Sequence, residues 1–278
     1  MTRNEYKKRA QERRAYALEY IAHGGKNAKA KITGSNQDKM KKTAMAYTSK
    51  HGVLAVAGAF NLPAVDACPG AGECSKDCYA DQGRYKIKNV WGRRWVNWAA
   101  LGRSTLDMTQ ALLGAIRVWY HSESLPHRSV YLLRIHDSGD FFNQRYVDAW
   151  EQALKTFQPE MSDNHTLIAY GYTKSLHLDF SRLFTVPGVR FVQSLGGRYD
   201  DRVDWNFGVS AIVPKGSEIK GQWLDANGDP SIQDLAVIDG PQNVRIALTY
   251  HGPARMRVQW KTTDQLDRIS TQLKVING

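Results

Sequence analysis

Apolar residues along this chain fall into short, nearly unbroken runs, separated by stretches with a helical rhythm. Val53 to Leu62 reads as a buried strand or hairpin that Pro63 stops. From Val90 to Tyr120 the spacing turns helical, through Trp91, Trp95, Trp98, Leu112, Ile116 and Trp119, more suited to core than to base stacking. Gly102-Arg103-Ser104 divides that stretch, with Ser104 or Thr105 as the cap of its second half. Strands at 129–135, 166–172 and 189–193 then alternate with helices at 144–157 and 176–184. Near-continuous apolar strands alternating with helices predict βαβ units and a parallel sheet. Further strands are expected at 205–213, 234–238 and 244–250, with a turn over 225–230 and a last helix over 263–273. The fold class is therefore α/β, as a partial or distorted (β/α) barrel with a basic N-terminal arm.

The arm comes from the polar positions. Residues 4–22 predict a basic helix ended by His23-Gly24-Gly25, and residues 26–50 a Lys-rich loop or weak helix that orders on a partner. Two units follow: residues 1–50 as helix and arm, and residues 51–278 as the α/β domain. The net charge is +11, and residues 1–50 hold thirteen Lys and Arg against four acids. A basic arm on a near-neutral body points to nucleic acid bound through residues 1–50, with a host protein as the other expected partner and a merely solubilising face as the plain explanation. No apolar run approaches the ~20 residues of a membrane span, and Met1–Lys7 lacks the apolar run of a secretory signal. Three cysteines, an odd number, fit a reducing cytoplasm better than a disulfide framework.

Those cysteines carry the strongest chemical signal. Cys68, Cys74 and Cys78 follow the first strand of the body at C-x5-C-x3-C spacing, in a loop made pliable by Pro69, Gly70 and Gly72. Clustered thiolates select soft metals, so a [4Fe–4S] cluster and zinc are the candidates. Structural zinc favours two ligand pairs, and this loop has no second pair; His51 and His121 lie in no ligand-like motif. A cluster held by three thiolates leaves one iron open to a ligand. Lys76 and Arg84 lie near enough in sequence to offset negative charge.

In parallel sheets the chemistry sits at the carboxyl ends of the strands. Here those ends read Arg134-Ile135-His136-Asp137-Ser138-Gly139-Asp140, Tyr172-Thr173-Lys174-Ser175 and Gln193-Ser194-Leu195-Gly196-Gly197. His136, Asp137, Asp140 and Lys174 are the candidate catalytic groups, and His136, Asp137 and Asp140 would equally serve a cofactor or metal. Asp140 is also a candidate N-cap. Arg134, Ser138, Gly139, Tyr172, Thr173 and Ser194 are the candidate cofactor contacts. A buried Arg134 requires an acidic partner or an anionic ligand.

The cysteine loop ending in Cys78-Tyr79-Ala80, the segment from Arg134 to Phe141, and Tyr172-Thr173-Lys174-Ser175 together resemble the bacteriophage gene-product-88 family over roughly residues 26–200. The resemblance implies a phage origin, a shared metal site and residence in the cytoplasm of an infected bacterial host. A second likeness is to radical S-adenosylmethionine enzymes, which place three cysteines after the first strand of a partial barrel. The spacing differs from their C-x3-C-x2-C, and Ser138-Gly139-Asp140 stands where they carry a Gly-Gly-Glu-like segment. The expected function is a phage-encoded iron–sulfur protein, of radical S-adenosylmethionine type if catalytic, acting on nucleic acid or a host macromolecule. The alternatives are a non-catalytic binding protein for nucleic acid or a host factor, with a structural cluster or zinc, and a metal-dependent nuclease using His136, Asp137 and Asp140.

Overall fold

The computed structural model describes residues 3–24, 28–33, 38–75, 78–123, 125–213, 223–225 and 230–249. Seven strands build one parallel sheet: β1 (Leu54–Phe60), β2 (Ser129–Ile135), β3 (His165–Thr173), β4 (Val189–Ser194), β5 (Gly208–Val213), β6 (Trp223–Asp225) and β7 (Arg245–Thr249). Their order is β1-β2-β3-β4-β5-β7-β6. The expected α/β class is what the structure has, and the first five strands lie side by side in chain order. The helices are α1 (Arg3–Ala22), α2 (Asp38–His51), α3 (Lys88–Ala100), α4 (Thr105–Ser122), α5 (Gln144–Phe157), α6 (Ser181–Phe184) and α7 (Pro230–Asp239).

Strand β2 shows how the layers form. All seven of its residues are buried, so the alternation of a half-exposed strand is replaced by apolar residues on both faces. Tyr131, Leu133 and Ile135 enter a core with α4, α5 and α6. Val130 and Leu132 enter a second core with α2 and α7. On β1, Ala55, Ala57 and Ala59 face that second core, and their small side chains let α2 lie close. Helices α1 and α3 pack together through Ala17, Trp95 and Val96. Ser104 caps α4 in a reciprocal box, accepting from the Asp107 N–H at 3.0 Å while Asp107 accepts from the Ser104 N–H.

Three expectations are corrected. Residues 234–238, expected as a strand, lie within α7; Asp234, Val237 and Ile238 are buried at helical spacing behind Pro230. Residues 38–51 are not a weak helix awaiting a partner. Met40, Thr43, Ala44 and Tyr47 form a buried i, i+3, i+4, i+7 stripe, concealed in the sequence by the lysines between them. Between the first two helices, Ala30 and Ile32 enter the core, and Thr33 bridges to Ala59. Of the helix expected at 176–184, only Ser181–Phe184 is helical. The helix expected at 263–273 and most of the 225–230 turn lie outside the described residues. No helix among the described residues is long and apolar enough to cross a membrane.

Even parity carries Arg134 of β2 onto the α2/α7 face, where it meets a carboxylate. Its guanidinium donates to Asp234 Oδ1, stands 3.6 Å from Asp137 Oδ1, and lies over the Tyr172 ring at 5.3 Å. Asp234 also accepts from Thr43 Oγ1 at 3.0 Å and Tyr170 Oη at 3.1 Å. Breaking one side of a buried pair strands the other charge. Asp234→Ala is therefore expected to cost about 3–5 kcal/mol in urea unfolding, whereas Arg117→Ala, which removes an exposed partner of Glu160, should barely move the midpoint. Equal effects would contradict the assignment of Arg134 and Asp234 as a structural pair.

Candidate metal centre

The loop after β1 carries all three cysteines and is held from three sides. Ala67 O accepts from the Asp140 N–H at 3.1 Å, and Leu62 O accepts from Ser138 Oγ at 2.8 Å, joining it to the loop after β2. Asn61 Oδ1 accepts from the N–H groups of Asp137 and Ser138, at 2.8 and 3.1 Å. Gly70 O accepts from the Arg198 N–H at 2.9 Å, joining the loop after β4. A Cβ at Gly70 would stand 2.2 Å from Lys174 O, and one at Gly72 would stand 2.9 Å from the Gly197 carbonyl carbon. Both glycines are needed because backbone meets backbone there. Val65 sits at φ +67, a left-handed value that is rare for a β-branched residue. The cysteine loop is therefore pressed into place by the loops after β2, β3 and β4.

The three thiols are free and half-buried. They are neighbours in electrostatic terms. Burial pushes Cys68 well above the usual thiol range, and Asp140, Cys78 and Cys74 add to the rise. Burial and then Cys74 push Cys78 up to about 11, with Arg94 opposing. Such thiols stay protonated alone and become thiolates only beside compensating positive charge. Among the described residues no three His, Cys, Asp or Glu side chains are gathered as a single ion requires. Zn–S bonds of 2.3 Å would draw thiolates to roughly 3.8 Å from one another; a cubic cluster holds them farther apart.

The other candidate residues sort into four groups rather than one ring. Asp140, Thr173, Lys174 and Ser194 belong together beside the cysteine loop. Asp140 accepts from Thr173 Oγ1 and the Lys174 N–H, both at 2.8 Å, and from the Phe141 N–H at 2.7 Å. Burial raises its pKa, against those hydrogen bonds. It is not the cap of α5; Asn143 is, accepting from the Tyr146 N–H. Lys174 Nζ donates to Ser194 Oγ at 2.8 Å and to Leu195 O. Arg134, Asp137 and Tyr172 lie on the α2/α7 face, with Tyr172 Oη donating to Gln233 O at 3.1 Å. Burial would raise the Asp137 carboxyl, but Lys39, Arg134 and Arg94 hold it well below the usual range. His136 turns the opposite way, with Nε2 3.0 Å from Tyr146 Oη and a buried Nδ1 that has no hydrogen-bond partner. Ser138 and Gly139 serve the loop itself, with Gly139 packed on Leu62.

Several residues that sequence reasoning passed over complete the site. Asn61 ties two loops together. Tyr79 Oη donates to the Asp137 carbonyl, and Tyr85 Oη donates to Asp137 Oδ2 at 3.1 Å. Lys39 Nζ stands 3.1 Å from Asp137 Oδ1. The only advance signal was position: Asn61 directly follows β1, and Tyr79 follows Cys78. Lys76 lies outside the described residues. Arg84 is exposed, 3.9 Å from Asp38.

The gene product 88 family model matches residues 26–269, a span containing the cysteine loop and every strand end described above. The chain belongs to the gene product 88 family. Gene 88 protein of Mycobacterium phage D29 is 28% identical over 131 residues, which are 46% of this chain and 55% of that protein. The match thus spans about half the length of that relative. Membership in this family of phage gene products supports the expected bacteriophage connection. No solved structure matches the chain.

His136 generates a pH prediction. Burial, then Arg134, lowers its pKa from 6.5 to about 3. Between those values the unfolded chain binds a proton that the folded chain refuses. This contribution to stability is complete above about pH 6.5 and falls as the pH drops toward 3. His136→Asn, which tolerates the left-handed backbone at φ +69, should flatten the loss of urea midpoint between pH 7 and pH 5. An unchanged slope would contradict a buried neutral imidazole.

Proposed function

We propose that this phage-family protein is an iron–sulfur protein in which Cys68, Cys74 and Cys78 hold one [4Fe–4S] cluster with an open iron. The observation that carries the reading is the glycine-clamped loop, which carries three free, half-buried thiols at the carboxyl edge of a parallel sheet. A cluster suits the donor set, which is three thiols on one loop. When bound, the cluster would supply a redox centre and a site for one further donor. Around it this chain's residues supply shape and charge. Asp140 adds to the rise at Cys68, Arg94 opposes the rise at Cys78, and Lys174 is tethered to Ser194 at the neighbouring strand end.

A second reading, radical S-adenosylmethionine chemistry on nucleic acid or a host macromolecule, is favoured by one feature. The cysteines follow the first strand, and β1 to β5 succeed one another in chain order. A nuclease is disfavoured, because Asp137 is neutralised by Lys39 and Arg134 while Asp140 already accepts three hydrogen bonds.

Anaerobic purification followed by iron, sulfide and zinc analysis tests the proposal. About four irons and four sulfides per chain are expected, and Cys68→Ala, Cys74→Ala or Cys78→Ala should each lose them together with the visible absorption. One zinc and no iron would overturn the cluster and leave a zinc protein. For the second reading, S-adenosylmethionine added to the reduced protein should alter the electron paramagnetic resonance signal and yield 5′-deoxyadenosine. An unchanged signal in fully loaded protein would exclude it and leave the cluster with a binding or structural role.

A further inference from the structure

An open cleft of about 790 Å³ lies between α1, α3 and the start of α2, on the far side of Tyr85 from the cysteine loop. Six cations line it: Lys31, Lys39, Arg84, Lys88, Arg93 and Arg94. Two carboxylates line it as well: Asp137, held by Lys39 and Arg134, and the exposed Asp38, 3.9 Å from Arg84. Lys31, Lys88 and Arg94 have no carboxylate at ion-pair distance among the described residues. Arg94 is the most telling. It is only 5% exposed, yet it makes one hydrogen bond, to Ala80 O at 2.9 Å, and lies over the Tyr85 ring at 4.2 Å. Its charge acts on Asp137 without an ion pair or hydrogen bond to it, and the rest of its planar fork fits phosphate oxygens.

The cleft is aromatic as well as basic. Tyr16 and Tyr20 of α1 form one wall, with ring centroids 6.0 Å apart, and Lys88 Nζ lies 4.9 Å from the Tyr16 ring centroid. The floor is kept low by Gly92, in the middle of α3, where a Cβ would press on Tyr16 at 3.2 Å. A mid-helix glycine weakens the helix, and here it preserves space. Cations interleaved with half-buried tyrosines in an open groove match the chemistry of a single nucleic-acid strand, with phosphates on the guanidinium and ammonium groups and bases against the rings. An acidic peptide would use the cations and leave the tyrosines without a role.

We propose that this cleft binds single-stranded nucleic acid, with Arg84, Lys88 and Arg94 on the phosphates and Tyr16 and Tyr20 as the base-facing wall. The cleft shares Lys39, Asn61, Tyr85, Arg94 and Asp137 with the surroundings of the cysteine loop but none of the cysteines, and the inference holds whether or not a cluster is bound there. It also relocates the basic function: half of the cleft comes from residues 84–97, beyond the arm that the charge count alone singled out.

The test uses the full chain and a fluorescent oligothymidylate of about ten nucleotides, within the range one binding site covers, with anisotropy read across salt concentrations. Binding is expected, with Arg84→Ala/Lys88→Ala weakening it at least tenfold and flattening the salt dependence by about 1.4, or ~0.7 per lost phosphate contact. Lys7→Ala/Lys8→Ala removes the same charge from exposed positions of α1 outside the cleft and should weaken binding less than threefold. If the alanine pair fails to fold, Arg84→Gln/Lys88→Gln carries the same test. Equal losses in the two pairs, no binding by the wild type at low salt, tighter binding of a duplex, or equal competition by polyglutamate would each overturn the proposal. Repeating the titration after chelation of any metal separates failure here from failure of the cluster assignment.

Discussion

The buried guanidinium of Arg134 is the constraint from which the carboxyl edge of this protein is organised. A positive charge in the middle of a sheet must find negative charge, and the sequence supplies it from two directions. Asp234 brings α7 onto the sheet, and Asp137 turns back from the end of the same strand. Asp137 in turn holds Lys39 of α2, so one cation ties α2 and α7 to β2. Burial, with the same charge adding to it, keeps His136 neutral.

That network reaches the cysteines through backbone. The Asp137 carbonyl accepts from Tyr79, the residue after Cys78, and the N–H groups of Asp137 and Ser138 are held by Asn61, which begins the cysteine loop. The loop is pinned at both ends to the strand end that Arg134 organises, while Gly70 and Gly72 seat its middle on the loops after β3 and β4. Ion pair and thiols therefore depend on each other structurally although they do not touch. Tyr85 and Arg94 form the border between the thiols and the basic cleft, one donating to Asp137 and the other to Ala80.

The central strands were legible because burial on both faces leaves little room for polar residues: the expected 129–135 and the helix at 144–157 match β2 and α5. The break at Gly102-Arg103-Ser104 was legible because the capping box is local chemistry. Helix α2 was not, because four buried residues among lysines read as a polar tract unless the period is followed through Tyr47. Asp234 failed for the complementary reason: a short apolar run fits strand and helix alike until a partner is known, and that partner is a hundred residues upstream. The strand-end residues were found as a set, but sequence could not show which face each would take. Parity decides it for Arg134, and the left-handed turn at His136 sends that ring the other way.

The most direct measurement of the central claim is Mössbauer spectroscopy of protein reconstituted with iron-57. Three thiolates on one loop leave one iron chemically unlike the others, so a cluster held by Cys68, Cys74 and Cys78 should show about one iron in four displaced by a small donor ligand, while the remaining three stay unchanged. Four equivalent irons indifferent to added ligand would contradict the open position. Iron that binds without forming any cluster would contradict the assignment of the cysteine loop itself.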